Sequence, residues 1–367
     1  MSFSTDYNSI IKKINAIDPI KYGKTRNYAD GNVTKLSPYI SRGIISTKQI
    51  DKTVLAKGYK PYEIESFLKE LAWRDYFQQV WIAKGNEINS DIKQPQPSCT
   101  NHFISKAILN ATIGIEAIDN GITELMNTGY MHNHMRMYVA SIACNVAKSH
   151  WKIPAQWMYY YLLDADWASN ALSWQWVAGS FSSKKYFANQ ENINKYWNTN
   201  QHETFLDVPY ENFENIDTPD VLKDLSNFNL QTFLPKTETL VLDHSLPTYI
   251  YNFYNLDCNW FKEVNANRVL LLEPSFFKQY PVCERTIHFI LDLSKNIVGL
   301  QVFVGEFEEA VITLDKNKIH FKEHPTNTHY KGIQHNRDWM FEEVKGYYPS
   351  FFSYWKKCEK YLNQLPH

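Results

Sequence analysis

The amino-acid pattern predicts a multi-domain chain of α and α/β type. It has an all-helical region over residues 1–197, a connecting stretch over 198–237 and a small α/β domain with a parallel sheet over 238–367. Apolar residues recur at helical spacing through the first region, and nothing between residues 22 and 197 reads as a strand. Residues 198–237 turn to Asn, Asp, Glu, Thr and Pro with a weak apolar pattern, as a linker with one short helix does. Beyond them, short apolar runs alternate with a helix pattern, which is how a parallel sheet is written.

Taken in order, residues 1–20 form a short amphipathic helix through Ile10, Ile11, Ile14 and Ile17. Tyr22, Thr25, Arg26 and Asn27 follow, then Thr34, Lys35, Leu36, Ser37 and Pro38, so hydroxyls and cations gather ahead of a helical stretch. Two readings stand there. One is a helix start capped by Thr34 or Ser37; the other is a phosphate cradle of hydroxyls, free backbone N–H groups and a guanidinium. Residues 46–56 and 61–84 are the clearest helices, the second carrying Phe67, Leu71, Phe77, Val80 and Trp81. Glu70, Trp73, Arg74 and Phe77 fall on one face of it. That face reads either as a Glu70–Arg74 salt bridge beside a packed indole or as a site. Residues 86–101 form a polar loop, and 103–127, 130–150 and 152–163 resume helical periodicity. In the last region the expected strands are 239–243, 268–273, 299–304 and 318–321, with a helix over 284–297 and aromatic-rich helices over 338–363.

Composition bounds the function. The chain of 367 residues is 44% hydrophobic and 21% charged with a formal charge of -1, an ordinary globular balance that excludes a wholly basic nucleic-acid coat but leaves room for a local basic groove. No apolar run is long enough for a bilayer, and the N-terminus has no signal-peptide pattern, so a cytoplasmic monomer without membrane contact is expected. Cys99, Cys144, Cys258, Cys283 and Cys358 are scattered, with no CxxC pair, which suits reduced thiols and no metal. His132 and His134 lie two apart on a helix and face different sides, and no nucleophile elbow is present.

Residues 129–176 are the densest in chemistry: Asn133, Arg136 and Met137, then Trp151, then Asp164, Asp166, Asn170, Trp174 and Trp176. Charges mixed with indoles are expensive as plain core, since buried charges need partners. This stretch, with Glu70–Phe77 and the Tyr22–Tyr39 region, resembles the flavin-binding helical domain of the photolyase/cryptochrome family, with features of its DASH-type cryptochromes. Four blocks in the right order over about 170 residues make a specific signal, unlike one short motif.

The resemblance implies a photolyase-type, all-helical FAD-binding domain. It places Asn170 facing N5 of the flavin ring, the Arg136–Asp164 pair beside the ring, and Asp166 as a further carboxylate of the pocket. It assigns Tyr22, Thr34, Lys35, Leu36, Ser37 and Arg74 to the diphosphate and ribose, which favours the phosphate reading of that stretch, and gives Asn133 a place at both flavin and lesion. Glu70, Trp73, Asn133, Met137 and Trp176 would surround a flipped pyrimidine dimer in damaged DNA, and Trp174 and Trp151 would begin an electron path to the flavin. Core packing is the plain alternative for any single Trp, and the chain has 11. The function implied is light-driven splitting of cyclobutane pyrimidine dimers by excited reduced FAD, a deoxyribodipyrimidine photo-lyase. The alternatives are a cryptochrome-like blue-light photoreceptor without repair and a remnant without flavin. The identity of a second, antenna chromophore is not implied.

The chain departs from the family pattern in several places. Val33 replaces a common hydroxyl residue, and His134 replaces an Arg. Residues 85–130 contain no Trp, so the third member of the electron path is missing and Trp157 or a Tyr would have to serve. The α/β domain, which precedes the helical domain in the family, here follows it. Residues 298–310 resemble a strand-Gly-acid segment of that antenna domain, which suggests a circular permutation.

Overall fold

Helix starts in this chain are set by short polar side chains. Asp6, Ser46, Asp166, Asn189 and Ser350 each accept a hydrogen bond from the backbone N–H three residues on, opening the helices Tyr7–Asn15, Thr47–Leu55, Trp167–Ala178, Gln190–Trp197 and Phe351–Leu362. These positions come from a computed structural model that describes residues 3–227, 229–237 and 239–363. Backbone contacts divide the chain into two compact units. One, the sheet unit, holds the residues up to Ile20, Thr34–Ala83 and those from Gln231 onward; the other, the helical unit, holds Lys21–Val33 and Lys84–Leu230. Both units are therefore discontinuous in sequence and cut across boundaries at 197 and 237.

In the helical unit the helices Glu116–Thr128, Asn133–Ser141, Lys152–Tyr161 and Trp167–Ala178 form the frame. Gly129 ends the first of these in a left-handed conformation (φ 75°), and a side chain there would meet the Leu163 Cγ at 2.7 Å, so only glycine fits. A π turn over Ile142–Val146 follows the second helix and aims the Asn145 amide at the Val177 carbonyl, 3.0 Å away, which fixes the last turn of Trp167–Ala178. Two residues that the sequence pattern leaves inside the helical stretch form a short strand. This is β1 (Ile104–Ser105), which pairs antiparallel with β2 (Leu225–Ser226). The 198–230 stretch is thus built into the helical unit rather than free, with Leu206, Phe213 and Leu222 buried.

The sheet unit carries five parallel strands: β3 (Thr248–Tyr251), β4 (Asn267–Leu272), β5 (Leu300–Val304), β6 (Ile319–Lys322) and β7 (Ile333–His335). Their order is β5-β4-β3-β6-β7, with the doubly wound reversal between β3 and β6. Ile250, Val269, Leu271, Ile319 and Phe321 alternate onto one face, where they pack with Phe307, Val311 and Tyr330. Every residue of β4 is buried, as expected for a central parallel strand covered on both faces.

The α and α/β composition and the strands expected at 268–273, 299–304 and 318–321 are present. The expectation at 239–243 is corrected. Its described residues lie outside the ladder: the Gln301 side-chain amide bonds both the N–H and the carbonyl of Val241 (2.7 and 2.8 Å), so a side chain stands where a strand would pair. Leu240 and Leu242 pack on the sheet core while Val241 is 80% exposed, so the apolar alternation is real without a strand. The Thr-Tyr-Ile-Tyr segment of β3 takes the central place instead. Over 338–363 a single helix forms among the described residues, Phe351–Leu362.

Candidate functional site

In the helical unit each ring-side candidate has its own hydrogen-bond partners. Arg136, on the Asn133–Ser141 helix, donates from Nη1 to Asp164 Oδ2 at 3.0 Å and Oδ1 at 3.3 Å, and from Nε to the Met131 carbonyl at 2.9 Å. Asp164 is buried, so the guanidinium is what makes its charge tolerable. Burial pushes the nearby Tyr130 phenol up to about 12, with the Arg136 charge opposing, so it is neutral in the working range. Asp166 caps the Trp167–Ala178 helix by accepting from the Ser169 N–H at 3.0 Å. Asn170, buried on the same helix, donates its amide to the Ala155 carbonyl at 2.8 Å, which fixes its orientation and leaves the side-chain oxygen as the acceptor it presents.

Trp174 lies one turn beyond Asn170 and is buried, with its indole N–H lacking any acceptor. A buried donor of this kind costs about 1–3 kcal/mol unless a bound group satisfies it. Trp151 is fully buried and donates from Nε1 to Asp91 Oδ1 at 2.7 Å. Trp176 is 39% exposed beside Tyr186, ring centroids 6.0 Å apart. Asn133 is exposed at the start of its helix, with Met137 half-buried one turn on, and Tyr22 is half-buried in Pro19–Thr25. His134 bonds the Asn27 carbonyl through Nδ1 at 3.0 Å, and burial holds its imidazole below the usual range, hence neutral.

The remaining candidates belong to the sheet unit. Ser37 opens the helix Ser37–Ser41, whose cap position is Leu36 with no side-chain cap bond. Neither Thr34 nor Ser37 therefore fills the capping role, and the first N–H groups are not taken by a cap side chain. Lys35, just ahead, sits in the left-handed region (φ 53°), a conformation costing about 1–2 kcal/mol for a residue with a side chain. Arg74, on the Glu65–Lys84 helix, donates from Nη2 to the Ser37 carbonyl at 3.2 Å and to the Ser41 hydroxyl. Glu70 is half-buried on the same helix.

Trp73 shows what sequence could not. Phe351 stacks flat against it, ring centroids 3.8 Å apart at 9°. One face of the indole is therefore used in packing, and at most one remains for a base. The acid next to the Trp73–Arg74 pair, Asp75, is fully buried and accepts from the Thr47 hydroxyl at 2.9 Å and the Met340 N–H at 2.8 Å. Burial pushes its carboxyl up to about 6, and that of its neighbour Asp51 to about 7, the latter aided by the Asp75 charge. The only signals for these acids in sequence were the Trp-Arg-Asp run and an Asp on the buried side of residues 46–56.

The helices Asn133–Ser141 and Trp167–Ala178 thus carry a guanidinium paired with a carboxylate, an oriented amide and a buried indole. Residues 67–207 match the family model described as the FAD-binding domain of DNA photolyase. A deoxyribodipyrimidine photo-lyase from Alkalihalophilus pseudofirmus is 33% identical over 149 residues, which is 40% of this chain and 31% of that protein. A cryptochrome DASH from Danio rerio is 33% identical over 171 residues, 43% of this chain and 32% of its own length. Among solved structures, a Synechocystis cryptochrome is similar over 53% of this chain and 44% of its own, at 23% identity and a TM-score of 0.47. The chain spans about a third of the length of the curated relatives it matches. No helix among the described residues is long and apolar enough to cross a membrane.

Proposed function

We propose that the protein is a light-driven flavoprotein that splits cyclobutane pyrimidine dimers in damaged DNA. The observation that carries the reading is the Asn170, Arg136 and Asp164 arrangement inside a segment that matches the FAD-binding domain of DNA photolyase. Reduced FAD, when bound, supplies on illumination the electron that opens the cyclobutane ring and takes it back afterwards.

The chain's own residues hold and tune. Arg136, paired with Asp164, would favour an anionic ring if it lies beside a bound flavin. Asn170 is tied by its nitrogen to Ala155, so its oxygen is the atom it would offer to a ring N–H, and an amide there offers no readily lost proton. The orphaned Trp174 N–H is a donor that a bound group would satisfy, and the residues therefore fit a flavin. Ser37, Thr34, Lys35 and Arg74, with the helix start at Ser37, suit the diphosphate, and Tyr22 and Leu36 its flank. Glu70 would accept from a base edge, while Trp176, Trp73, Asn133 and Met137 would line a flipped dimer. Flat indole surface offsets the unstacking energy, which is already reduced at a damaged base.

A second reading is a blue-light receptor of cryptochrome type without repair. It is favoured by the covering of one face of Trp73 by Phe351. Blue light on the reduced, FAD-loaded chain with a dimer-containing oligonucleotide separates the two. Restoration of the undamaged bases is expected. Flavin retained without repair would leave the receptor reading, and a chain that takes up no FAD would sink both.

A further inference from the structure

The electron path expected from sequence lacks its third Trp, and the helical unit offers another ending. Trp151 has no exposed surface, and its N–H donates to Asp91 Oδ1 at 2.7 Å. Asp91 is the route from that indole to water, its side chain being 21% exposed. Two further donors hold the carboxylate: the Gln96 N–H reaches Oδ2 at 2.9 Å, and His150 Nε2 lies 3.4 Å from Oδ1. His150 Nδ1 accepts from the Lys152 N–H at 3.3 Å, which assigns the ring proton to Nε2. Outside His150 the next ring is His102, stacked on it at 4.8 Å and exposed. An imidazole is harder to oxidise than an indole, so this stack extends the path no further.

The other neighbour of Trp151 is Trp167, with ring centroids 6.4 Å apart. Trp167 is equally buried, but its N–H donates to the amide oxygen of Asn89 at 2.9 Å. Two indoles in ring contact thus face different acceptors: one a carboxylate, the other a neutral amide. A carboxylate stabilises a cation beside it and is a far stronger base than an amide oxygen. An oxidising equivalent shared between the two rings therefore settles on Trp151.

We propose that Trp151 and Asp91 form the outer end of the electron path, Trp151 holding the oxidising equivalent and Asp91 accepting its indole proton. The proposal rests on the flavin reading for the identity of the oxidant, photoexcited oxidised FAD. One electron leaves the Trp151 indole for the oxidant. The Nε1–H bond breaks, its proton joins Asp91 Oδ1 to give a neutral carboxylic acid, and Trp151 becomes a neutral radical. The pair gains one unit of positive charge, matching the electron lost. Asp91 acts here as a positioning and proton-accepting residue, and Trp167 is a side branch.

Transient absorption after a blue flash on the FAD-loaded chain, in H2O and D2O, tests this. The expected signal is the deprotonated tryptophanyl radical, formed more slowly in D2O. In Asp91→Asn, which keeps the hydrogen-bond acceptor, the absorption should shift to the longer-wavelength radical cation and lose the slowing in D2O. Asp91→Glu should restore both. A second arm needs no flavin: azide radicals from pulse radiolysis oxidise the full chain without FAD, and the difference between wild type and Trp151→Phe isolates the Trp151 radical. An Asp91-dependent deprotonation in that arm without any flash signal would sink the flavin reading while supporting the Trp151–Asp91 pair. A radical unchanged by Trp151→Phe in both arms, a cation in the wild type, or a deprotonated radical persisting in Asp91→Asn would overturn the proposal.

Discussion

In the helical unit Asp164 lies buried against the Arg136 guanidinium, whereas in the sheet unit Asp51 and Asp75 lie buried near each other, with Asp75 held by a hydroxyl and a backbone N–H. The same side chain thus sits in two opposite environments. Asp164 has a guanidinium within hydrogen-bond distance. Asp51 is pushed towards its protonated form by burial and by the Asp75 charge, and burial of Asp75 outweighs the pull of Arg337 and Arg74. The difference separates an acid paired with a cation from two acids whose burial favours the protonated form.

The contrast predicts unequal responses to mutation. Arg136→Ala strands a buried carboxylate, and breaking a pair of this kind costs about 3–5 kcal/mol. Urea denaturation should show a loss near the lower end, because Arg136 is 21% exposed, and adding Asp164→Asn should recover part of it. A loss below about 1 kcal/mol would class the pair with surface ion pairs and erase the contrast.

Asp51→Asn should act in the opposite direction, and only at higher pH. An unfolded Asp titrates at 3.8 and the folded carboxyl at about 7. Below about pH 4 both states hold the proton and the group contributes nothing. Between 4 and 7 the folded state keeps a proton that the unfolded state has lost, so stability falls as pH rises, and the penalty is complete above 7. The Asn variant removes it. The difference between 3.8 and about 7 corresponds to at most about 4 kcal/mol, so thermal unfolding at pH 8 should show stabilisation of about 2–4 kcal/mol, against no change at pH 4. Equal shifts at both pH values would mean that Asp51 does not titrate in this window.

The smallest expected effect belongs to Asp166, which acts as a helix cap in addition to any flavin contact. Asp166→Ala should cost about 1 kcal/mol and Asp166→Asn much less, read by denaturation of the chain without FAD. Equal losses for the two would assign the contribution of Asp166 to its charge rather than to the bond with the Ser169 N–H.

Much of this was legible along the chain, and its limits fall at identifiable residues. The Glu65–Lys84 helix follows from its apolar period, and β4, β5 and β6 from short apolar runs. The error at 239–243 has a physical origin: alternation reports which side chains are buried, but a strand requires a neighbouring backbone in register, and Gln301 occupies that place. The Arg136–Asp164 pair came from the family resemblance, since a buried charge demands a counter-charge but does not name it. The Trp73–Phe351 stack was not, because an aromatic ring accepts many neighbours and its own sequence names none.

What the sequence alone determined is local and chemical: helix periods, caps, the glycine at 129, and the inventory of indoles, amides and paired charges that a flavin site uses. The tertiary structure decided the partners. It set Asp91 under Trp151 across 60 residues of chain, left Trp167 with an amide, and placed Asp51 beside Asp75. Local pattern fixes conformation through torsional preference and burial, which act within a few residues. The acidity of a carboxyl, and what an indole does when it loses an electron, depend on charges and donors a few ångströms away that only the folded chain brings together.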